Sequence, residues 1–202
     1  MTAWVLENSI AQCRVWHDQG MYVSVAVNLS ARNLLDDNIP KQIMRLLQEY
    51  QLPASALELE ITESSIMTDP ARAMRVLDHL HELGVQLTID DFGTGYSSLA
   101  YLKRLPVKTL KIDNSFVRNM LEDKQDEVIV NSTIHLAHNL GLVVVAEGVE
   151  NEELLVRLSE LGCDEAQGYH IGRPMAAEKV DEWIASSTWA KRPGPAAGAG
   201  RI

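Results

Sequence analysis

Short runs of β-branched and other apolar residues alternate along the chain with segments whose apolar positions recur at helical spacing. Six runs read as strands, over 23–27, 57–59, 85–89, 109–110, 143–146 and 163–166. They are brief and nearly continuous in apolar character, which suits buried parallel strands better than half-exposed antiparallel ones. Between them, 39–50 carries Ile43, Leu46 and Leu47, 71–83 carries Val76, Leu77 and Leu80, and 126–140 carries Val130, Ile134, Ala137 and Leu140. That spacing predicts three helices, and 4–16 predicts a fourth through Leu6, Ile10, Cys13 and Val15. Thr68-Asp69-Pro70 supplies a helix start, while Gly84 and Gly141 stand where helices end.

Each strand run finishes in a residue capable of chemistry. The first ends in Asn28, the second in Glu60 with Glu63 just beyond, and the third in Asp90 and Asp91. The fourth leads to Lys111 and Asp113, the fifth to Glu147 and Glu150, and the sixth to Gln167. Chemistry at the end of every strand points to a β/α barrel, because an open sheet gathers its ligands near one switch point. The expected fold class is therefore α/β, a TIM-like (β/α)8 barrel. A complete barrel takes about 250 residues, roughly 31 per unit, so 202 residues leave room for about six units and six strands. The barrel domain is expected over 1–187, and the Pro/Gly/Ala-rich stretch 188–202, beginning at Thr188, reads as a disordered tail.

Asp90 and Asp91 carry the sharpest chemical signal. Two touching carboxylates repel each other, and within a strand they leave on opposite faces. Both can serve one site only where the strand unravels into a loop, and a divalent cation would reconcile them. The loop is supplied by Phe92-Gly93-Thr94-Gly95-Tyr96, which is not a nucleotide P-loop, since no Gly-Lys-Ser/Thr follows.

Composition narrows the partners. A formal net charge of −10 argues against a holder of nucleic-acid polymers, which needs a positive field. No apolar stretch approaches the roughly 20 residues of a membrane span, and no basic-then-apolar signal region opens the sequence, so a cytoplasmic location is expected. Cys13 and Cys163 are too few for a disulfide framework, and Cys163 reads as a small buried apolar residue. His135 and His138 share a helical face, but no cysteine or third histidine in the sequence supports a zinc site.

Six motifs then occur in order: Val27-Asn28-Leu29-Ser30-Ala31-Arg32, Leu59-Glu60-Ile61-Thr62-Glu63-Ser64, Ile89-Asp90-Asp91-Phe92-Gly93-Thr94-Gly95-Tyr96, Leu110-Lys111-Ile112-Asp113, Val145-Ala146-Glu147-Gly148-Val149-Glu150 and Ala166-Gln167-Gly168-Tyr169. Together they resemble the EAL family of cyclic di-GMP phosphodiesterases, across about residues 4 to 185. The resemblance implies an EAL-type barrel that hydrolyses cyclic di-GMP to linear pGpG. It implies two Mg²⁺ or Mn²⁺ ions held by Asn28, Glu60, Asp90, Asp91 and Glu147, with Asp90 best placed to bridge them. Lys111, Glu63 and Glu150 fall in the catalytic set: Lys111 to orient water or neutralise phosphate, the two glutamates to brace loops. Arg32, Asp113 and Gln167 fall on the substrate side.

The Glu-Ala-Leu tripeptide that names the family is absent from the sequence. By resemblance it and a phosphate-binding arginine lie upstream of the Asn-Leu-Ser strand, with the first two barrel strands. The chain is thus expected to be N-terminally truncated, and weak or inactive alone. A homodimer through the helix near 97–103, from Ser97 to Lys103, and upstream sensor or GGDEF domains in a longer parent are also implied. Two alternatives stand beside the enzyme: a non-catalytic module for cyclic di-GMP or a protein partner, and an enolase-like Mg²⁺ barrel.

Overall fold

The computed structural model describes residues 2–95 and 99–189. The chain divides into two compact units, residues 1–110 and 111–202, the division falling inside a strand. The first unit contains α1 (Thr2–Asp18), β1 (Val25–Leu29), α2 (Ala31–Leu34), α3 (Ile39–Glu49), β2 (Leu57–Thr62), α4 (Glu63–Met67), α5 (Pro70–Glu82), β3 (Gln86–Phe92) and α6 (Leu99–Leu102). The division interrupts β4 (Thr109–Ile112). The second unit continues with α7 (Asn114–Val117), α8 (Lys124–Asn139), β5 (Val143–Glu147), α9 (Glu152–Glu160), β6 (Glu165–Gln167) and α10 (Val180–Ser186).

In the first unit β1, β2 and β3 lie side by side and parallel, in the order of the sequence. One face of this sheet is apolar: Val27, Leu29, Leu57, Leu59, Ile61, Leu87 and Ile89 are all buried. Helices cover that face. α1 packs on β1 and α5 on β3, with α3 between the two helices. Leu6 and Ile10 of α1, Ile43 of α3 and Leu77 and Leu80 of α5 have no solvent exposure. Full burial of each such side chain contributes about 1.5–3 kcal/mol. In the second unit β5 and β6 pair in parallel, and α8 packs on β5 through a face that includes the buried Val130, Ile134 and Ala137.

Local chemistry sets the helix starts. The Asp69 carboxylate accepts the amide of Arg72 at 3.1 Å, and Pro70 follows it as the first residue of α5. Asn151 caps α9 by accepting the amide of Leu154 at 2.9 Å. These bonds satisfy amides that a helix start leaves without a partner.

All six expected strands are present, yet five of them end one to three residues later than the apolar pattern indicated, and β6 ends one later. Asn28, Glu60, Asp90, Lys111, Glu147 and Gln167 are themselves strand residues. The apolar pattern records burial and stops at the first polar side chain, whereas backbone pairing continues through it. Asp113 lies one residue past β4, with φ −58° and ψ 143°, and begins a helix. Thr188 and Trp189, at the start of the expected tail, form a turn in which the Trp189 ring meets His170 edge-on at 5.7 Å. The rest of that tail, 190–202, lies outside the described residues. No helix among the described residues is long and apolar enough to cross a membrane.

Candidate active site

In the first unit the sheet face opposite the helices carries the polar strand ends. Asn28 is in register with Glu60, and Thr62 with Asp90. The Asn28 amide nitrogen donates to Glu60 Oε2 at 3.0 Å. Glu60 and Asp90 are only 9% and 8% exposed. Two residues back along the strands on the same face, Thr88 donates its hydroxyl to Glu58.

Asp91 resolves the problem of two adjacent carboxylates in an unexpected way. The strand does not unravel before it; β3 continues to Phe92. Instead Asp91 takes a φ of +54°, the left-handed region that residues with a Cβ adopt at a cost of about 1–2 kcal/mol. Strict alternation would send its side chain to the helix face beside Ile89. The left-handed step breaks that alternation and leaves one carboxylate oxygen of each aspartate within 4.8 Å of the other. Strain of this kind concentrates at functional sites. Asp90 Oδ1 also accepts the amide of Asp91 at 3.1 Å, and the Asp91 carbonyl accepts the Thr94 hydroxyl at 2.9 Å, tying the glycine loop to the strand.

Glu63 opens α4, behind the N-cap Thr62, whose hydroxyl accepts the Ser65 amide at 3.3 Å. Its Oε2 lies 3.5 Å from the position a Cβ would take on Gly95, so the carboxylate lies against the glycine loop. With Ile66, Phe92, Tyr101 and Leu102 it lines a small apolar pocket. Arg32 is exposed on α2, just beyond β1. Tyr96, Ser97 and Ser98 lie outside the described residues; the helix expected near 97–103 is α6, with Leu99 54% exposed.

In the second unit Lys111 Nζ stands 2.6 Å from Glu147 Oε1. Their side chains are 6% and 16% exposed, so the pair is strengthened by partial exclusion of water. Glu147 is in register with Gln167 on β6. Glu150 pairs with Arg118 at 2.9 Å, both exposed, an ion pair from the loop after β5 to the end of α7. Sequence reasoning missed Arg118, which no motif marks. Asp113 is the N-cap of α7: its carboxylate accepts the amide of Ser115 at 2.9 Å and the hydroxyl of the same residue.

Outside these strand ends, His138 is engaged by Asp164 at 2.9 Å, and Asp164 also accepts the amide of Val144. Cys163 is buried, and burial pushes its thiol up to about 12, which removes it as a nucleophile at neutral pH.

The donor set in the first unit fits a hard divalent cation. Glu60 and Asp90 offer buried carboxylate oxygens, Asp91 a third carboxylate drawn toward Asp90, and Asn28 an amide oxygen whose nitrogen is already engaged. Oxygen donors of this kind suit Mg²⁺ and Mn²⁺, and burying carboxylates together is costly without positive charge beside them.

Residues 1–174 match the family model described as the EAL domain. This chain belongs to that family. Among its relatives, the bifunctional diguanylate cyclase/cyclic di-GMP phosphodiesterase MucR of Pseudomonas aeruginosa is 43% identical over 178 residues, which cover 88% of this chain and 26% of the relative. The cyclic di-GMP phosphodiesterase PA2567 of the same organism is 38% identical over 184 residues, 91% of this chain and 31% of the relative. The chain thus spans between a quarter and a third of the length of these two proteins. The structure of the PaMucR phosphodiesterase in complex with c-di-GMP matches with a TM-score of 0.84 at 43% identity, covering 88% of this chain and 72% of that one. The EAL domain of Mycobacterium smegmatis DcpA matches with a TM-score of 0.87 at 36% identity, covering 100% and 85%. The fold class is therefore α/β of the EAL barrel type, as the alternation of strands and helices indicated.

Proposed function

We propose that this EAL domain hydrolyses cyclic di-GMP to linear pGpG with the help of Mg²⁺ or Mn²⁺, in the cytoplasm. The observation that carries the reading is the row of oxygen donors, Asn28, Glu60 and Asp90, on one sheet face at the C-terminal ends of three adjacent strands, with Asp91 bent toward them. Membership of the family and the named activities of MucR and PA2567 support it.

In this reading Asn28, Glu60, Asp90 and Asp91 are metal ligands, and Glu147 joins them by its place in the family pattern. Bound there, divalent cations would lower the pKa of water and offset charge on the phosphate. Asn28 holds the Glu60 carboxylate in place through its amide. Lys111 presents an ammonium group, held by Glu147, to neutralise phosphate or orient water. Glu63 steadies the glycine loop from below and Glu150 steadies the loop after β5 through Arg118. Arg32, Asp113 and Gln167 contact substrate, Asp113 while capping α7. Water adds across one P–O bond: its oxygen joins phosphorus and a proton goes to the departing 3′ oxygen. Two copies pair through α6, where Leu99 is exposed, and a longer parent protein would carry sensor or GGDEF domains.

The test is incubation of the chain with cyclic di-GMP and Mn²⁺ or Mg²⁺, followed by chromatography of the nucleotides. We expect slow, metal-dependent formation of pGpG, since the Glu-Ala-Leu motif is not in this sequence. Binding of cyclic di-GMP with no pGpG would favour a non-catalytic module, and neither binding nor product would defeat the proposal.

A further inference from the structure

The loop after β6 is fastened along most of its length. A Cβ on Gly168 would stand 2.1 Å from the carbonyl oxygen of Val149, so only glycine lets the two backbones approach. The Val149 amide donates to the Gln167 carbonyl at 3.1 Å, and the His170 amide donates to the Val149 carbonyl at 3.0 Å. Ile171 and Gly172 both donate their amides to the Gly168 carbonyl at 3.0 Å. Further on, the Trp183 ring lies 3.1 Å from where a Gly172 Cβ would be. His170 Nε2 stands 2.9 Å from Glu152 Oε2, and its ring packs edge-on against Trp189.

This fixed loop nevertheless presents two large side chains to water. Tyr169 is 52% exposed, and the guanidinium carbon of the exposed Arg173 lies 4.8 Å from the centre of its ring. A cation over an exposed ring contributes only about 0.5–1 kcal/mol, so the pair does little to stabilise the loop that carries it. Stacking does something else: it pre-organises a planar fork whose N–H donors remain free to bind in their own plane. The O6 and N7 acceptors of guanine match such a fork, whereas adenine places a donor at N6. Tyr169 lies two residues after Gln167, whose register partner is Glu147, and so the loop that carries the pair leaves the strand end where barrel ligands gather.

We propose that Arg173, levelled by Tyr169, reads one guanine of the dinucleotide through its O6 and N7 edge, as a specificity-determining residue. This rests on the phosphodiesterase reading above and adds the base contact that a metal site cannot supply.

The experiment is equilibrium binding without divalent cation, so that hydrolysis does not compete, of cyclic di-GMP and its 7-deaza analogue to wild type and to Arg173→Ala, Arg173→Lys and Tyr169→Ala. Wild type should prefer cyclic di-GMP over the analogue about ten-fold, the scale of one good bidentate base contact. Arg173→Ala and Arg173→Lys should lose that preference with unchanged thermal melting, and Tyr169→Ala should lose part of it. Equal weakening of both nucleotides by Arg173→Ala would mark a phosphate contact and overturn the base assignment, as would no change in either. Failure of wild type to bind cyclic di-GMP at all would overturn the phosphodiesterase reading and this inference with it, a result distinct from binding that ignores Arg173.

Discussion

Lys111 and Glu147 form an ion pair of 2.6 Å between the ends of β4 and β5, with the lysine almost fully enclosed. Removing one partner of a buried pair leaves the other charge in a poor environment, at a cost of about 3–5 kcal/mol. Glu147 keeps 16% exposure, which puts the expected loss for Lys111→Ala at the lower end of that range. In the proposed reading Lys111 also aims its charge at phosphate, so the same substitution should lower turnover by about 100-fold or more. Urea unfolding and pGpG formation measured on the same preparation check both effects. Unchanged stability would show that Glu147 does not depend on the lysine.

Gly168 and Gly162 separate two reasons for glycine. At Gly168 a Cβ collides with the Val149 backbone, which has no rotamer to escape into, so Gly168→Ala should cost upwards of about 3 kcal/mol. At Gly162 the φ is +81° and the surroundings are open, so Gly162→Ala should cost only the left-handed penalty of about 1–2 kcal/mol. Denaturant midpoints of the two variants, compared at constant m-value, provide the measurement. Equal costs would contradict the close approach of Gly168 to Val149.

Cys163 gives a pH dependence with a defined sign. Burial raises its thiol from 9.0 to about 12 in the folded protein. Below pH 9 the thiol is protonated in both states and its full contribution is present. Between pH 9 and about 12 the unfolded chain ionises first, so stability is lost as pH rises. Cys163→Ala should flatten that part of the alkaline decline in a series of unfolding curves. The folded thiol should also react slowly with Ellman's reagent at pH 8, becoming reactive on unfolding.

The strand ends were the most legible feature of the sequence, because an apolar run that stops at Asn28, Glu60, Asp90, Lys111 or Glu147 announces both a buried strand and its chemistry. The left-handed turn at Asp91 was not legible: nothing in Ile89-Asp90-Asp91-Phe92 distinguishes a strand that ends from one that bends, and only the backbone torsion decides. The capping role of Asp113 was not legible either. The following Asn114-Ser115 engages its carboxylate as a helix cap, a use that no strand pattern signals. Glu63 was recognised as a residue past the strand, though not as the first residue of α4, for which Thr62 was the available signal. The pairing of Arg118 with Glu150 follows from tertiary packing and that of Arg173 with Tyr169 from the course of one loop, and neither has a counterpart in the apolar pattern.

The most direct test follows pGpG formation from cyclic di-GMP while Mn²⁺ is titrated into wild type and into an Asp90→Asn, Asp91→Asn double variant, with metal affinity read by calorimetry on the same samples. Both substitutions keep the shape of the side chains and remove the charge proposed to hold the cation. We expect pGpG from wild type to rise with Mn²⁺ occupancy and to vanish with a chelator, and the double variant to bind Mn²⁺ far more weakly and form no product. Equal metal binding and equal product from both proteins would contradict the assignment of the β3 carboxylates as the metal site of a phosphodiesterase.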